Sequence, residues 1–213
     1  MLLQKDTWNL SIPKGKGGPT LIESKDIDSY NDEFVKHTDV GIELTTPANG
    51  VTTPNSHYPR TEFRELDSGK LAKWDAKKTT RNYKYSFSVN HLPKNKPEIV
   101  IGQLHDPNDD VFEIKVSGEK LLVFHNSTIY STVYSDYKLD QTVDVDCKIG
   151  GGNALLNFKR HVGETKFDMT HVTFKLVKTK DVYFKVGCYL QTNPDHGDAG
   201  EYGKVTLKAL IRV

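Results

Sequence analysis

The sequence predicts an all-β protein, a β-jelly roll of two antiparallel sheets packed face to face, one of them bent around a concave groove. Three observations predict it. Short segments in which apolar and polar residues alternate with period two follow one another from Phe34 to the C-terminus. No stretch carries a sustained apolar stripe at helical spacing, so nothing supplies the crossover helices that parallel strands need. Turn chemistry separates the segments, as at Pro107-Asn-Asp-Asp110, Ser117-Gly-Glu119, Gly150-Gly-Gly-Asn153 and Asn193 to Gly200.

The strands are expected in order. Phe34 to His37 and Gly41 to Thr45 come first, then Arg60 to Leu66. Asn82 to Asn90 follows, with Tyr83, Tyr85, Phe87 and Val89 on its apolar face. Glu98 to His105, Val111 to Ser117, Lys120 to His125 and Ser127 to Tyr134 continue the series. Asp144 to Ile149 sets Val145, Cys147 and Ile149 against Asp144, Asp146 and Lys148. Ala154 to Arg160, His171 to Lys178, Tyr183 to Gln191 and Gly203 to Val213 complete it. Two short helical turns are expected, around Ser24 to Tyr30, where Ser24 or Asp26 can cap, and from Leu66 to Trp74.

The chain of 213 residues fits one domain, 1–213, with enough core to need neither metal nor disulfide. A formal net charge of +1 gives no global field for nucleic acid, so any preference for anions is local. No run approaches the ~20 apolar residues of a membrane-spanning helix. The N-terminus shows no basic region followed by an apolar core, so no signal peptide is visible. Cys147 and Cys188 read either as one disulfide of a secreted protein or as two buried thiols, the packed thiol being the first reading because Cys188 falls on the apolar face of its strand.

Three segments place functional groups where a solvated strand would show a mixture of charges and hydroxyls. In Tyr183-Phe-Lys-Val-Gly-Cys-Tyr-Leu-Gln191, period two puts Phe184, Val186, Cys188 and Leu190 on one side, and Tyr183, Lys185, Gly187, Tyr189 and Gln191 on the other. Gly187 lets another group approach the backbone closely. Arg60-Thr-Glu-Phe-Arg64 puts Arg60, Glu62 and Arg64 on one face, and Gln103-Leu-His105 does the same for Gln103 and His105. In one sheet these faces form a groove suited to an anionic, hydroxyl-rich ligand. Alone, the Arg-Glu-Arg series reads as a cross-strand salt-bridge ladder and His105 as structural. Asp106 to Asp110 lacks the spacing of a calcium loop and reads as a turn, and two cysteines without matching histidines make no zinc site.

These segments, in this order, resemble the signatures of the alginate lyases of polysaccharide lyase family 7: an Arg-(Ser/Thr/Asn)-Glu-Leu-Arg strand, a Gln-(Ile/Val)-His strand and a Tyr-Phe-Lys-x-Gly-x-Tyr-x-Gln strand. Tyr58-Pro59 before the first motif is similar too. Phe63, Leu104 and Leu190 depart from the pattern, and the position of Leu104 is linked in that family to uronate preference. The resemblance implies endolytic β-elimination on a polyuronate, leaving 4,5-unsaturated ends. It implies Arg64 and Gln103 on the substrate carboxylate, His105 as base and Tyr189 as acid, with Tyr189 able to serve as both for mannuronate. Arg60, Glu62, Lys185, Gln191 and His57 then bind or position substrate. Neither metal nor organic cofactor is called for, the partner is the anionic polysaccharide, and a secreted monomer is expected. His57 beside Tyr58 keeps a glucuronan lyase as an alternative. A non-catalytic carbohydrate-binding jelly-roll module is the alternative of another class.

Overall fold

The computed structural model describes residues 2–4, 6–54 and 56–213. The strands, in chain order, are β1 (Leu2–Leu3), β2 (Trp8–Ile12), β3 (Thr20–Ile22), β4 (Val35–Thr38), β5 (Gly41–Pro47), β6 (Arg60–Asp67), β7 (Lys70–Leu71), β8 (Arg81–His91) and β9 (Glu98–His105). They continue as β10 (Asp110–Ser117), β11 (Lys120–His125), β12 (Thr128–Tyr134), β13 (Val143–Gly150), β14 (Asn153–His161), β15 (Phe167–Lys175), β16 (Tyr183–Leu190) and β17 (Tyr202–Arg212). Short 3₁₀ turns occupy Ser24–Ser29 and Pro194–His196.

Two sheets result. The groove sheet runs β12-β11-β10-β9-β16-β6-β2-β3, with β7 paired on β6. The back sheet runs β15-β14-β13-β8-β17-β5-β4, with β1 joining β17. Pairing among the described residues is antiparallel except for β1 with β17. This is the two-sheet jelly roll that the alternation and the absence of crossover helices predict.

The core lies between the sheets. Tyr83, Tyr85, Phe87 and Val89 of β8 and Phe184, Val186, Cys188 and Leu190 of β16 all lie in one buried cluster. The rings of Tyr83 and Phe184 stack at 4.2 Å with planes 10° apart. Both cysteines are free and buried, as the strand pattern implies. Burial pushes the Cys188 thiol up to about 12 and raises Cys147 well above the usual thiol value, so both are inert packing groups.

The structure corrects several expectations. The helical turn from Leu66 to Trp74 is a β-hairpin: Leu66 pairs with Leu71 and Asp67 with Lys70 around Ser68 and Gly69. Both of those residues have positive φ, 50° and 76°, which a two-residue hairpin turn requires and a helix forbids. Trp74 then bridges to Val182. Three strands precede the expected first one: the short β1, β2, whose Trp8, Leu10 and Ile12 alternate into the core, and β3. The strand expected at His171 to Lys178 runs instead over Phe167–Lys175, because its hairpin with β14 pairs His161 with Phe167 and Asn153 with Lys175.

The motif strand β6 anchors the two sheets through its inward face. Glu65 is fully buried. Its carboxylate accepts from the Trp74 indole N–H at 3.1 Å, the Tyr83 hydroxyl at 2.8 Å, the Phe184 main-chain N–H at 3.0 Å and Arg212 Nη1 at 3.1 Å. Arg81 Nη1 donates as well. One carboxylate thereby ties β6 to β8, β16 and β17. Removing one member of a buried charged network leaves the others desolvated and unpaired. Glu65→Gln should therefore cost about 3–5 kcal/mol, a fall of roughly 10 °C in midpoint for a chain of this size. Thermal denaturation followed by circular dichroism checks this, and an unchanged midpoint contradicts it.

Candidate active site

The outward faces of β6, β16 and β9 meet in register. Lys185 pairs with Arg64 on one side and Gln103 on the other, and Gln103 pairs with Glu113 of β10. Directly paired antiparallel residues share a face. A row of side chains therefore crosses the sheet: Arg64, Lys185, Gln103, Glu113. A second row is Tyr183, His105 and Asp110. Further along, Arg60 pairs with Tyr189 and Glu62 with Gly187. These groups line one cleft of about 310 Å³.

Glu62 is the centre of the cleft floor and is 2% exposed. It accepts from Gln103 Nε2 at 2.6 Å and from Arg60 Nη1 at 3.3 Å, and Lys185 Nζ lies 3.6 Å away. Burial alone would raise its carboxyl, but Lys185, then Arg60, then the Gln103 hydrogen bond hold it below the usual carboxylate range. The same packing draws Lys185 down to about 8, burial acting first and Arg60 and Arg64 adding to it against the pull of Glu62.

Gly187 faces Glu62, and its role is steric. A Cβ there would lie 2.5 Å from the Thr61 carbonyl oxygen and 2.7 Å from Glu62 Cα. The group that approaches this backbone closely is the neighbouring strand. Glycine lets β16 close on β6 at the level of the buried carboxylate.

Two guanidiniums differ in their engagement. Arg60 is tied to Glu62 and donates to Ser56 Oγ at 2.8 Å, with its plane 3.7 Å from the centre of the Tyr189 ring. Arg64 lies 3.8 Å from the centre of the Tyr183 ring and, among the described residues, meets no carboxylate. The buried Nε atoms of both guanidiniums have no hydrogen-bond partner, so the difference lies in the carboxylate. Arg64 is thus a cation with donors left over for an incoming anion.

His105 is held from one side. Its Nδ1 contacts the Asp106 carbonyl oxygen, and the Tyr183 hydroxyl lies 3.1 Å from the same nitrogen. A carbonyl oxygen only accepts, so Nδ1 carries the proton and Nε2 keeps its lone pair. The Tyr183 ring stacks on the imidazole at 5.3 Å. Burial, then the charge of Lys185, lowers the imidazole to about 4. Asp106 is fixed as a turn: its carboxylate accepts from the N–H groups of Asn108 and Asp109.

The hydroxyl of Tyr189 lies 3.2 Å from Ser56 Oγ. Of the expected site residues, the structure brings together Arg60, Glu62, Arg64, Gln103, His105, Lys185 and Tyr189. It leaves two outside the cleft lining. Gln191 lies past the end of β16 and donates to the Leu190 carbonyl at 3.0 Å, while its main-chain N–H goes to Glu98. His57 is exposed, and its carbonyl accepts from Asn193 Nδ2 at 3.3 Å. The structure adds Ser56, which joins Arg60 to Tyr189, and the carboxylates Asp109, Asp110 and Glu113 on the far wall. Burial, then Glu113 and Asp109, push the Asp110 carboxyl up to about 7. Ser56 sits in a loop with no periodic signal to mark it.

The family model described as alginate lyase matches residues 2–211. The fold is similar to alginate lyase AlgAT5 from polysaccharide lyase family 7, at TM-score 0.86 and 28% identity over 98% of this chain and 94% of that one. It is similar to the alginate lyase from Corynebacterium sp. at TM-score 0.82 and 29% identity, with 98% and 94% covered. An alginate lyase from Pseudomonas aeruginosa shares the fold at TM-score 0.82 and 21% identity, with 99% of both chains covered. A search of curated protein sequences found no match.

The lowered imidazole has a direct consequence. A group whose folded value is depressed stays neutral above that value, so His105 is unprotonated from about pH 5 upward. Nitrogen NMR of the imidazole should show the Nδ1-protonated tautomer at neutral pH and titration near 4. Titration at the ordinary histidine value, about 6.5, would contradict the geometry.

Proposed function

Because the chain is a member of the alginate lyase family, we propose that its cleft cleaves polyuronate chains endolytically by β-elimination, with Arg64, Gln103, His105 and Tyr189 in direct contact with the reacting sugar. The observation that carries this is the pairing, on one concave face, of a guanidinium lacking a carboxylate partner with an imidazole whose Nε2 lone pair is free.

The chemistry follows from the substrate. The C5 proton of a uronate is weakly acidic because the adjacent carboxylate is already negative. Arg64 and the remaining N–H of Gln103 neutralise that carboxylate and stabilise the enolate-like charge that develops on it. Lys185, charged below about pH 8, adds a positive field at the same level of the sheet. His105 Nε2 removes the C5 proton. The C–H electron pair becomes the C4–C5 double bond, the C4–O bond breaks, and the leaving oxygen takes a proton from Tyr189. This division suits guluronate, whose proton and leaving group lie on opposite sides. For mannuronate, where they lie on the same side, Tyr189 both takes and returns the proton.

Arg60 and Glu62 position the reacting groups. Glu62 orients Gln103 and Lys185, and Arg60 lies on the Tyr189 ring while holding Ser56 against its hydroxyl. His57 is exposed and outside the lining of this cleft, so glucuronan is the second substrate to test rather than the first. The steps call on no metal or organic cofactor. A polymer substrate of the extracellular matrix implies a secreted protein.

The test is ultraviolet absorbance of the conjugated unsaturated product, followed separately on polymannuronate, polyguluronate and glucuronan. The wild type should give a rise on at least one alginate polymer. Tyr189→Phe should lower kcat by about 10²–10⁴-fold, the usual worth of a general acid or base, with little change in oligosaccharide binding. A flat trace from folded wild type on both alginate polymers, or full activity in Tyr189→Phe, would overturn the assignment.

A further inference from the structure

The concave face does not stop at Arg64. On its outer side β6 pairs with β2, so that Asn9 stands opposite Arg64 and Ser11 opposite Glu62. Ser11 in turn pairs with Leu21 of β3, and Leu66 with Leu71 of β7. Asn9, Ser11, Leu21, Leu66 and Leu71 therefore share the face that carries the cleft. Beyond Asn9 this face opens into a second depression of about 420 Å³, lined by Asn9, Leu21, Leu66, Gly69 and Leu71, with Asp6, Ser24 and the Glu23–Lys25 ion pair (3.1 Å) at its rim.

Among the described residues, two features of this region have no partner within the protein. Asn9 is 5% exposed, yet its side-chain oxygen has no hydrogen-bond partner, and neither does Nε of Arg64 beside it. A buried polar atom left unpaired is costly, and natural proteins seldom leave one without a reason. Leu21 and Leu71, at 53% and 49% exposure, hold an apolar surface open to solvent beside it. An apolar platform next to an unused acceptor is the complement of a pyranose ring, which has apolar C–H faces and hydroxyl donors at its edge.

We propose that the polyuronate path continues from Arg64 across Asn9 into this depression, which takes one further sugar with its ring face on Leu21, Leu66 and Leu71 and a hydroxyl donated to the Asn9 amide oxygen. Asn9 is then a positioning residue for the chain outside the reacting unit. This rests on the polyuronate-cleaving reading above. The strand spacing of ~4.8 Å puts Asn9 one step from Arg64 and two from Lys185, so only a chain reaching past the carboxylate pocket can touch it.

The experiment is kcat/KM measured on size-fractionated oligouronates and on polymer for wild type, Asn9→Ala and Leu71→Ala. Leu71 is half exposed, so its truncation leaves the core intact should Asn9→Ala fold poorly. Both variants should lose activity on long chains, about tenfold for the single hydrogen bond of Asn9, and match wild type on the shortest chain that is cleaved. A loss equal at every length, or no loss at any length, with the wild type active, overturns the outer subsite alone. A wild type that cleaves none of the substrates overturns the activity on which the subsite rests.

Discussion

The Glu62 carboxylate is the constraint around which the cleft is built. A buried carboxylate without partners would take up a proton or unfold the sheet around it. Glu62 avoids both by gathering Arg60, Lys185 and Gln103, one from its own strand and two from the next two strands. Those contacts fix where the cationic and amide groups of the floor point. They also hold Lys185 in its buried place, where its charge helps keep His105 neutral. Gly187 belongs to the same arrangement, since any side chain there would push β16 off the Glu62 backbone. The floor is thus pre-set before any ligand arrives, and the one guanidinium it does not consume is Arg64.

The strand that carries Glu62 also carries Glu65, and period two separates their tasks. Glu62 faces the cleft. Glu65 faces inward and collects hydrogen bonds from Trp74, Tyr83, Phe184, Arg81 and Arg212. One of these reaches the main chain at Phe184, the residue before Lys185. The position of the cleft floor is therefore braced from behind through the backbone of β16. Two buried acids three residues apart perform different work because the pleat sends them to opposite sides of one sheet.

Much of this was legible in the sequence. Alternation alone placed the core faces of β8 and β16, and it put Arg60, Glu62 and Arg64 on one side. What alternation cannot show is which strands become neighbours, so the alignment of Lys185 between Arg64 and Gln103 needed the fold. The period also fails at irregularities. Register shifts between Val186 and Tyr189 against β9, and the strand ends at Leu190, so the period does not carry Gln191 into the cleft lining. The Leu66 to Trp74 segment misled because Ser68-Gly69 reads as a weak turn until both residues are seen at positive φ. Trp8-Asn-Leu-Ser-Ile12 alternates as clearly as any later strand, yet its polar face is only Asn and Ser, which carry no charge to draw notice. Ser56 and the Asp109–Asp110 wall come from loops and strand ends, where position follows from tertiary contacts alone.

The most direct measurement is a crystal structure of the Tyr189→Phe variant with an oligouronate in the cleft. The account predicts the carboxylate of the central sugar on Arg64 and the Gln103 amide, its C5 within reach of His105 Nε2 at about 3–3.5 Å, and Glu62 still paired with Arg60 and Lys185. A carboxylate bound instead to Arg60 and Lys185 with Glu62 displaced, or a C5 turned away from His105, would contradict it.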